Sequence, residues 1–120
     1  MRNNYFLIGV VLTVATFLSA FALPEGGIGI KIRQENDGIF VIAEIVEGGP
    51  ADVAKLIVGE EIKGVDGMSV GRNTLEQVVA MVRGPVDTEV LLTLAHPSYP
   101  NMRNVKLKRA SLPAKFAVAN

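Results

Sequence analysis

Apolar and polar positions change their spacing several times along the chain, and each change predicts an element. Residues 5–22 carry no charge and are mostly Leu, Ile, Val, Phe or Ala. After a short linker at 23–26, Ile28, Ile30 and Ile32 alternate with Gly29, Lys31 and Arg33, the period-two pattern of a half-buried strand. Asn36-Asp37-Gly38 supplies a turn, because these residues tolerate left-handed backbone angles. Residues 39–46 are apolar on both faces, which predicts a central strand paired with the first. Pro50 suits the first turn of a short helix over 51–55, where its missing N–H costs nothing. Residues 61–65 predict a strand, Asp66-Gly67 a turn, and 68–70 a brief extended piece.

The clearest helix follows. Thr74 and Gln77 are spaced as a capping box. Leu75, Val78, Val79 and Val82 recur at helical spacing until Gly84-Pro85 stops them. Residues 89–95 and 104–109 predict two further strands, joined by a Pro-containing loop over 96–103. From Ala110 onward the periodicity is gone, and a loose tail is expected. The pattern amounts to an α+β domain of five to six short strands and two helices around one core.

Composition changes the picture mainly at the ends. Arg2 and the α-amino group precede the apolar run, and Ala20-Phe21-Ala22 closes it with small residues, the order found in a secretory signal. An uncleaved anchor is the competing reading, since 18 residues span about 27 Å as a helix, close to the hydrocarbon thickness of a bilayer. A core helix is disfavoured, because the run has no polar face and so small a domain could not cover it all round. Both surviving readings place the remainder outside the cytoplasm, periplasmic or secreted, with membrane contact only if residues 5–22 are retained.

Without residues 1–22 the chain carries 11 basic and 12 acidic groups, net −1. Nucleic-acid binding would call for a clustered basic excess, and none is present. With no cysteine there is no disulfide, thiol chemistry or lipid-modified cysteine. The one histidine, His96, leaves no usual metal-ligand set, so no cofactor and no metal are expected. His96 reads as a solvated loop residue, and Glu60 and Glu61 as solvated groups near a turn. No spacing marks Ser69, Ser98 or Ser111 as half of a nucleophile–base pair. Asn104, Lys106 and Lys108 alternate as on a solvated strand edge.

The informative constellation is Gly27-Ile28-Gly29-Ile30 opening a strand, with the apolar-faced helix 45 residues after Ile30. Glycines let a loop expose successive N–H groups in one direction, which suits an anion such as a peptide's terminal carboxylate. Taken alone the stretch reads as an ordinary tight turn before a strand. No third glycine opens a helix after it, so it is not a nucleotide fingerprint.

In company the motifs say more. Gly27-Ile28-Gly29-Ile30 is followed by Gly48-Gly49-Pro50-Ala51, by Val58-Gly59-Glu60-Glu61-Ile62, and by Val65-Asp66-Gly67. Leu75-Glu76-Gln77-Val78-Val79, Arg83-Gly84-Pro85 and Lys106-Leu107-Lys108-Arg109 complete the order. This succession resembles a PDZ domain over residues 27–109, most of all the PDZ domain of bacterial C-terminal processing serine proteases. The resemblance implies a small, partly open β-barrel or sandwich that takes C-terminal peptides of other proteins by strand addition. The carboxylate-binding loop would be Gly27, Ile28, Gly29 and Ile30. The groove would involve Ile32, Leu75, Val78, Val79 and Val82, with the helix stripe serving first as core. Many PDZ helices begin with a histidine that bonds Ser or Thr two residues before the ligand's end. Leu75 stands there in this chain, so an apolar ligand residue is expected.

Departures from the family pattern bear on function. Lys55 occupies a usual glycine position, and Glu60 a usual aspartate. The proteases carry a catalytic domain with a serine–lysine pair after the PDZ domain. Only eleven residues follow Arg109, so the expectation is a non-enzyme. Its partners would be protein tails, including a protease or its substrates. Two alternatives stay open: a shortened or accessory subunit of such a protease, and a structural docking domain with a closed groove.

Overall fold

The computed structural model describes residues 24–112. The segment expected as signal or anchor and the chain beyond Leu112 lie outside the described residues. Eight strands and two helices follow one another as β1 (Glu25–Gly26), β2 (Ile30–Gln34), β3 (Phe40–Ile45), α1 (Pro50–Val53), β4 (Glu61–Val65), β5 (Met68–Ser69), α2 (Leu75–Val82), β6 (Gly84–Pro85), β7 (Glu89–His96) and β8 (Tyr99–Lys108). Five of the strands are long, and they order as β2-β3-β4-β7-β8 with β5 hanging from β4. The sheet is open, and β2 is one of its edges. Among the described residues no helix is long and apolar enough to cross a membrane.

Period-two burial builds the core. Val90, Leu92 and Leu94 of β7 are all fully buried, while the residues between them are only partly so. Each such side chain contributes about 1.5–3 kcal/mol by leaving water. Phe40, Val41 and Ile42 of the central strand are buried in succession, as its two apolar faces predict. Val78 and Val82 close the core from α2. The expected capping box is present, with the Gln77 N–H donating to Thr74 Oγ1 at 3.1 Å and the Thr74 N–H to Gln77 Oε1 at 2.8 Å.

The structure corrects two expectations and adds a detail at Lys55. The loop expected over 96–103 is instead a tight hairpin: His96 pairs with Tyr99, and β8 runs on to Lys108. Pro100 is accommodated because β8 is an edge strand, where a missing N–H breaks no ladder. Residues 25–26 of the expected linker and Ala110 of the expected tail are joined to the domain's body. Glu25–Gly26 pairs with Gly84–Pro85, and Gly27 and Ala110 exchange both backbone hydrogen bonds, at 3.0 and 2.9 Å. Lys55, at a usual glycine position, keeps the left-handed backbone glycine would adopt, with φ +63°.

Arg109 ties these parts together. Its side chain is buried and donates Nε to the Val82 carbonyl at 2.9 Å and Nη2 to the Met81 carbonyl at 3.3 Å. Nη1 reaches Thr88 Oγ1 at 2.9 Å and the Glu89 carbonyl at 3.0 Å. The cation therefore rests on the carboxyl end of α2, where unpaired carbonyls and the helix dipole favour positive charge. A β-carbon on Gly84 would stand 2.7 Å from Arg109 Cζ, so only glycine lets the guanidinium pass.

Arg109→Ala takes a donor from four oxygens around a buried site, and a loss of about 2–4 kcal/mol is expected in urea unfolding.

Candidate functional site

The polarity of the main chain before β2 defines the site. The Ile28 carbonyl accepts from the Ala51 N–H at 2.8 Å, and the Gly29 carbonyl from the Val46 N–H at 2.8 Å. With both carbonyls tied inward, the loop's amide groups are left for the other side. None of the hydrogen bonds among the described residues uses the N–H of Ile28 or Gly29. Gly29 sits at φ +78°, and a β-carbon there would press on Val46 Cβ at 3.2 Å. Both facts require glycine.

Ile30 continues the pattern. It faces Ile45 across the ladder, while the Val46 N–H bonds the Gly29 carbonyl just outside that pair. In an antiparallel ladder this marks a non-hydrogen-bonded pair, so Ile30 turns its N–H and C=O away from β3, toward the open edge.

The side chains expected at the site divide into two groups. Ile30, Ile32, Leu75 and Val79 are half-buried, on β2 and on the helix α2 that packs against it. Ile28, Val78 and Val82 are 1%, 0% and 4% exposed. They are core residues that hold the two walls together, and their side chains do not line an open groove. Gly27, expected in the carboxylate loop, is tied into the domain instead of standing open. Its N–H is taken by the Ala110 carbonyl, and Leu112 covers it so closely that a β-carbon would lie 2.9 Å from Leu112 Cδ1.

A second cluster was not anticipated. Glu60, read from sequence as solvated, is fully buried. Its carboxylate accepts from the Tyr99 hydroxyl at 2.6 Å, the Ile57 N–H at 2.6 Å, and Arg103 Nε and Nη2 at 2.9 and 3.0 Å. Burial by itself pushes the carboxyl pKa up. The bonds from Arg103, Tyr99 and Ile57, together with the Arg103 charge, outweigh this and hold it below the usual glutamate value. Burial and the bond to Glu60 push the Tyr99 phenol up. The Arg103 guanidinium also lies 5.7 Å from the Tyr99 ring centroid. The spacing of Tyr99 and Arg103, four residues apart on one strand, was the available signal; it was hidden by reading 96–103 as a loop.

This cluster braces the fold and has no catalytic geometry. Three of the four protons that reach Glu60, from Tyr99 and Arg103, fix the α1–β4 loop to the β7–β8 hairpin, and the fourth, from Ile57, closes the loop itself. Ser98 and His96, which no spacing had linked, do meet, with Oγ 2.7 Å from Nδ1. The Ser98 N–H also donates to that nitrogen at 3.1 Å, so the pair closes the hairpin turn. Among the described residues no three His, Cys, Asp or Glu side chains gather where a metal could sit.

Comparison with known proteins fits this geometry. The profile of the PDZ domain family matches residues 19–95. A carboxy-terminal-processing protease of Bartonella bacilliformis is 31% identical over 90 residues, which are 75% of this chain and 20% of that protein. A probable CtpA-like serine protease of Staphylococcus aureus is 36% identical over 89 residues, 74% of this chain and 17% of its own length. The chain thus spans about a fifth of the length of the curated relatives it matches. Among solved structures, the photosystem II D1 C-terminal processing protease superposes with a TM-score of 0.69 at 28% identity, over 83% of this chain and 27% of that one. The PDZ domain of a carboxy-terminal protease from Vibrio cholerae, solved in complex with peptide, gives 0.64 at 27% identity, over 72% and 96%.

The Glu60 carboxylate stabilises the fold above the pKa it has in the unfolded chain. That contribution is lost as pH falls through its lowered folded value. Urea midpoints are therefore expected to fall in acid below the ordinary glutamate range. Glu60→Gln is expected to flatten that acid dependence and to cost about 1–3 kcal/mol at neutral pH.

Proposed function

The chain belongs to the PDZ domain family, and from that premise we propose that it captures the C-terminal tails of other proteins by adding them as a strand to the open edge of β2. The observation that carries this reading is the pair of unused amides at Ile28 and Gly29, beside an edge strand and an apolar helix. The N–H groups of Ile28, Gly29 and Ile30 hold the terminal carboxylate. The last side chain enters between Ile30 and Val79, and the residue two places earlier meets Ile32 and Leu75. Ile28, Val78 and Val82 support these walls from the core. Residues 1–22 carry the domain out of the cytoplasm, as a cleaved signal or as a retained anchor, and the chain acts by recognition without catalysis.

The expected strength follows from the contacts. One buried Leu- or Val-sized side chain gives about 1.5–3 kcal/mol, and each hydrogen bond to the carboxylate about 1.5–3 kcal/mol. The cost of ordering the peptide offsets part of this. Dissociation constants of about micromolar result, suited to sampling many tails. The likeness to proteases of which the matched stretch is only about a fifth favours one further reading, an accessory subunit that delivers tails to such a protease. It predicts faster cleavage of an unfolded substrate when this chain is added to the partner enzyme.

Apolar-ended peptides are expected to bind with a free carboxylate and to lose at least tenfold in affinity when amidated, measured by fluorescence anisotropy. Equal binding of both forms overturns the reading. Leu75→His should shift preference toward Ser or Thr two residues before the end, read on the same peptides with that position varied.

A further inference from the structure

The outer face of β2 carries a charge pattern that an added strand would have to meet. We propose that Lys31 and Arg33 make the site selective for tails with acidic side chains at the penultimate position and at the fourth position from the end. This rests on strand addition at β2, and it adds a choice of ligand that the apolar pocket cannot make.

The argument begins with the alternation of β2. Ile30 and Ile32 pack against the core, so Lys31 and Arg33 project from the opposite face. Their side chains are 42% and 59% exposed. On that face Lys31 Nζ meets Glu44 Oε2 of β3 at 3.0 Å, directly across the ladder. Arg33 Nη2 meets Glu35 Oε1 at 2.8 Å. From β3 outward the face therefore reads negative at Glu44, then positive along β2.

A strand added beyond β2 lies about 4.7–4.9 Å away, and it also alternates. Its terminal side chain points toward the helix, so the penultimate side chain and the one two residues earlier share the face of Lys31 and Arg33. Opposite charges directly across a ladder attract, and like charges repel. An acidic residue extends the sequence of alternating signs, whereas a lysine there is set against Lys31 or Arg33. The carboxylates already present do not close these positions. Glu44 and Glu35 are solvent-exposed partners whose ion pairs are weak, and an ammonium with three donors or a guanidinium with five serves a second acceptor readily.

The test uses the full chain and three fluorescent peptides with the same apolar end and a free carboxylate. The penultimate and fourth-from-last residues are both Glu, both Gln or both Lys. Affinity should fall in that order by about two- to fivefold per charged position. The spread should narrow as salt rises and exposed charges are screened. In the double variant Lys31→Gln, Arg33→Gln the three peptides should bind alike, with the melting curve in place to show the domain intact. Equal binding of all three to the unaltered protein overturns the charge selection and leaves the groove standing. Binding of none, or binding indifferent to amidation of the Glu peptide, overturns strand addition and this inference with it.

Discussion

Backbone hydrogen bonding constrains this molecule more than any side chain does. A buried carbonyl needs a donor, and those of Ile28 and Gly29 find theirs in Ala51 at the start of α1 and Val46 at the end of β3. Once the carbonyls are committed inward, a peptide plane cannot also turn its N–H inward. The amides face outward at the point where the chain enters edge strand β2. Gly29 makes this affordable sterically, since its positive φ and its contact with Val46 leave no room for a side chain. The proposed recognition of a carboxylate is thus a by-product of how two other elements satisfy their own backbone.

Two buried charges then keep the walls of the groove in place by opposite means. Glu60 is an anion matched by a cation, a phenol and an amide, which locks the α1–β4 loop to the last hairpin. Arg109 is a cation held by neutral oxygens, two of them carbonyls at the end of α2. In the first case a charge pair compensates for burial. In the second, the helix end supplies a partial negative charge without a carboxylate. Arg109 bears more directly on the helix beside β2, because it fixes where α2 stops relative to β7 and β8.

Most of the fold was legible because its elements follow simple periods. The strand expected from Ile28, Ile30 and Ile32 is present but begins only at Ile30, while the two-faced apolar run at 39–46 and the Thr74/Gln77 box recur as read. The misreadings share a cause. Pro97 and Pro100 suggested a loop over 96–103, but proline forbids only an interior ladder, and β8 is an edge. That single error concealed Tyr99 and Arg103 as a pair on one strand, and with them the burial of Glu60. Side-chain direction at the site was also only half legible. The helical spacing grouped Leu75, Val78, Val79 and Val82 together, whereas Val78 and Val82 are buried in the core and Leu75 and Val79 only half-buried. Pairings between distant segments, such as Gly27 with Ala110, left no local pattern to read.

The division between inner and outer faces of β2 explains how one short strand can serve stability and selection together. Ile30 and Ile32 hold it to the core, so the strand stays ordered although one edge is unpaired. Lys31 and Arg33 occupy the alternate positions, where exposed charge discourages indiscriminate edge-to-edge pairing. On the proposed reading, a polypeptide that joins this edge would have to bring something the bare edge lacks: a free carboxylate for the loop, an apolar end for the helix side, and a face that tolerates two cations. Each demand alone is weak, at the level of one hydrogen bond, one side chain or one surface pair. Their coincidence on three or four consecutive residues would make an open strand edge selective without making it sticky.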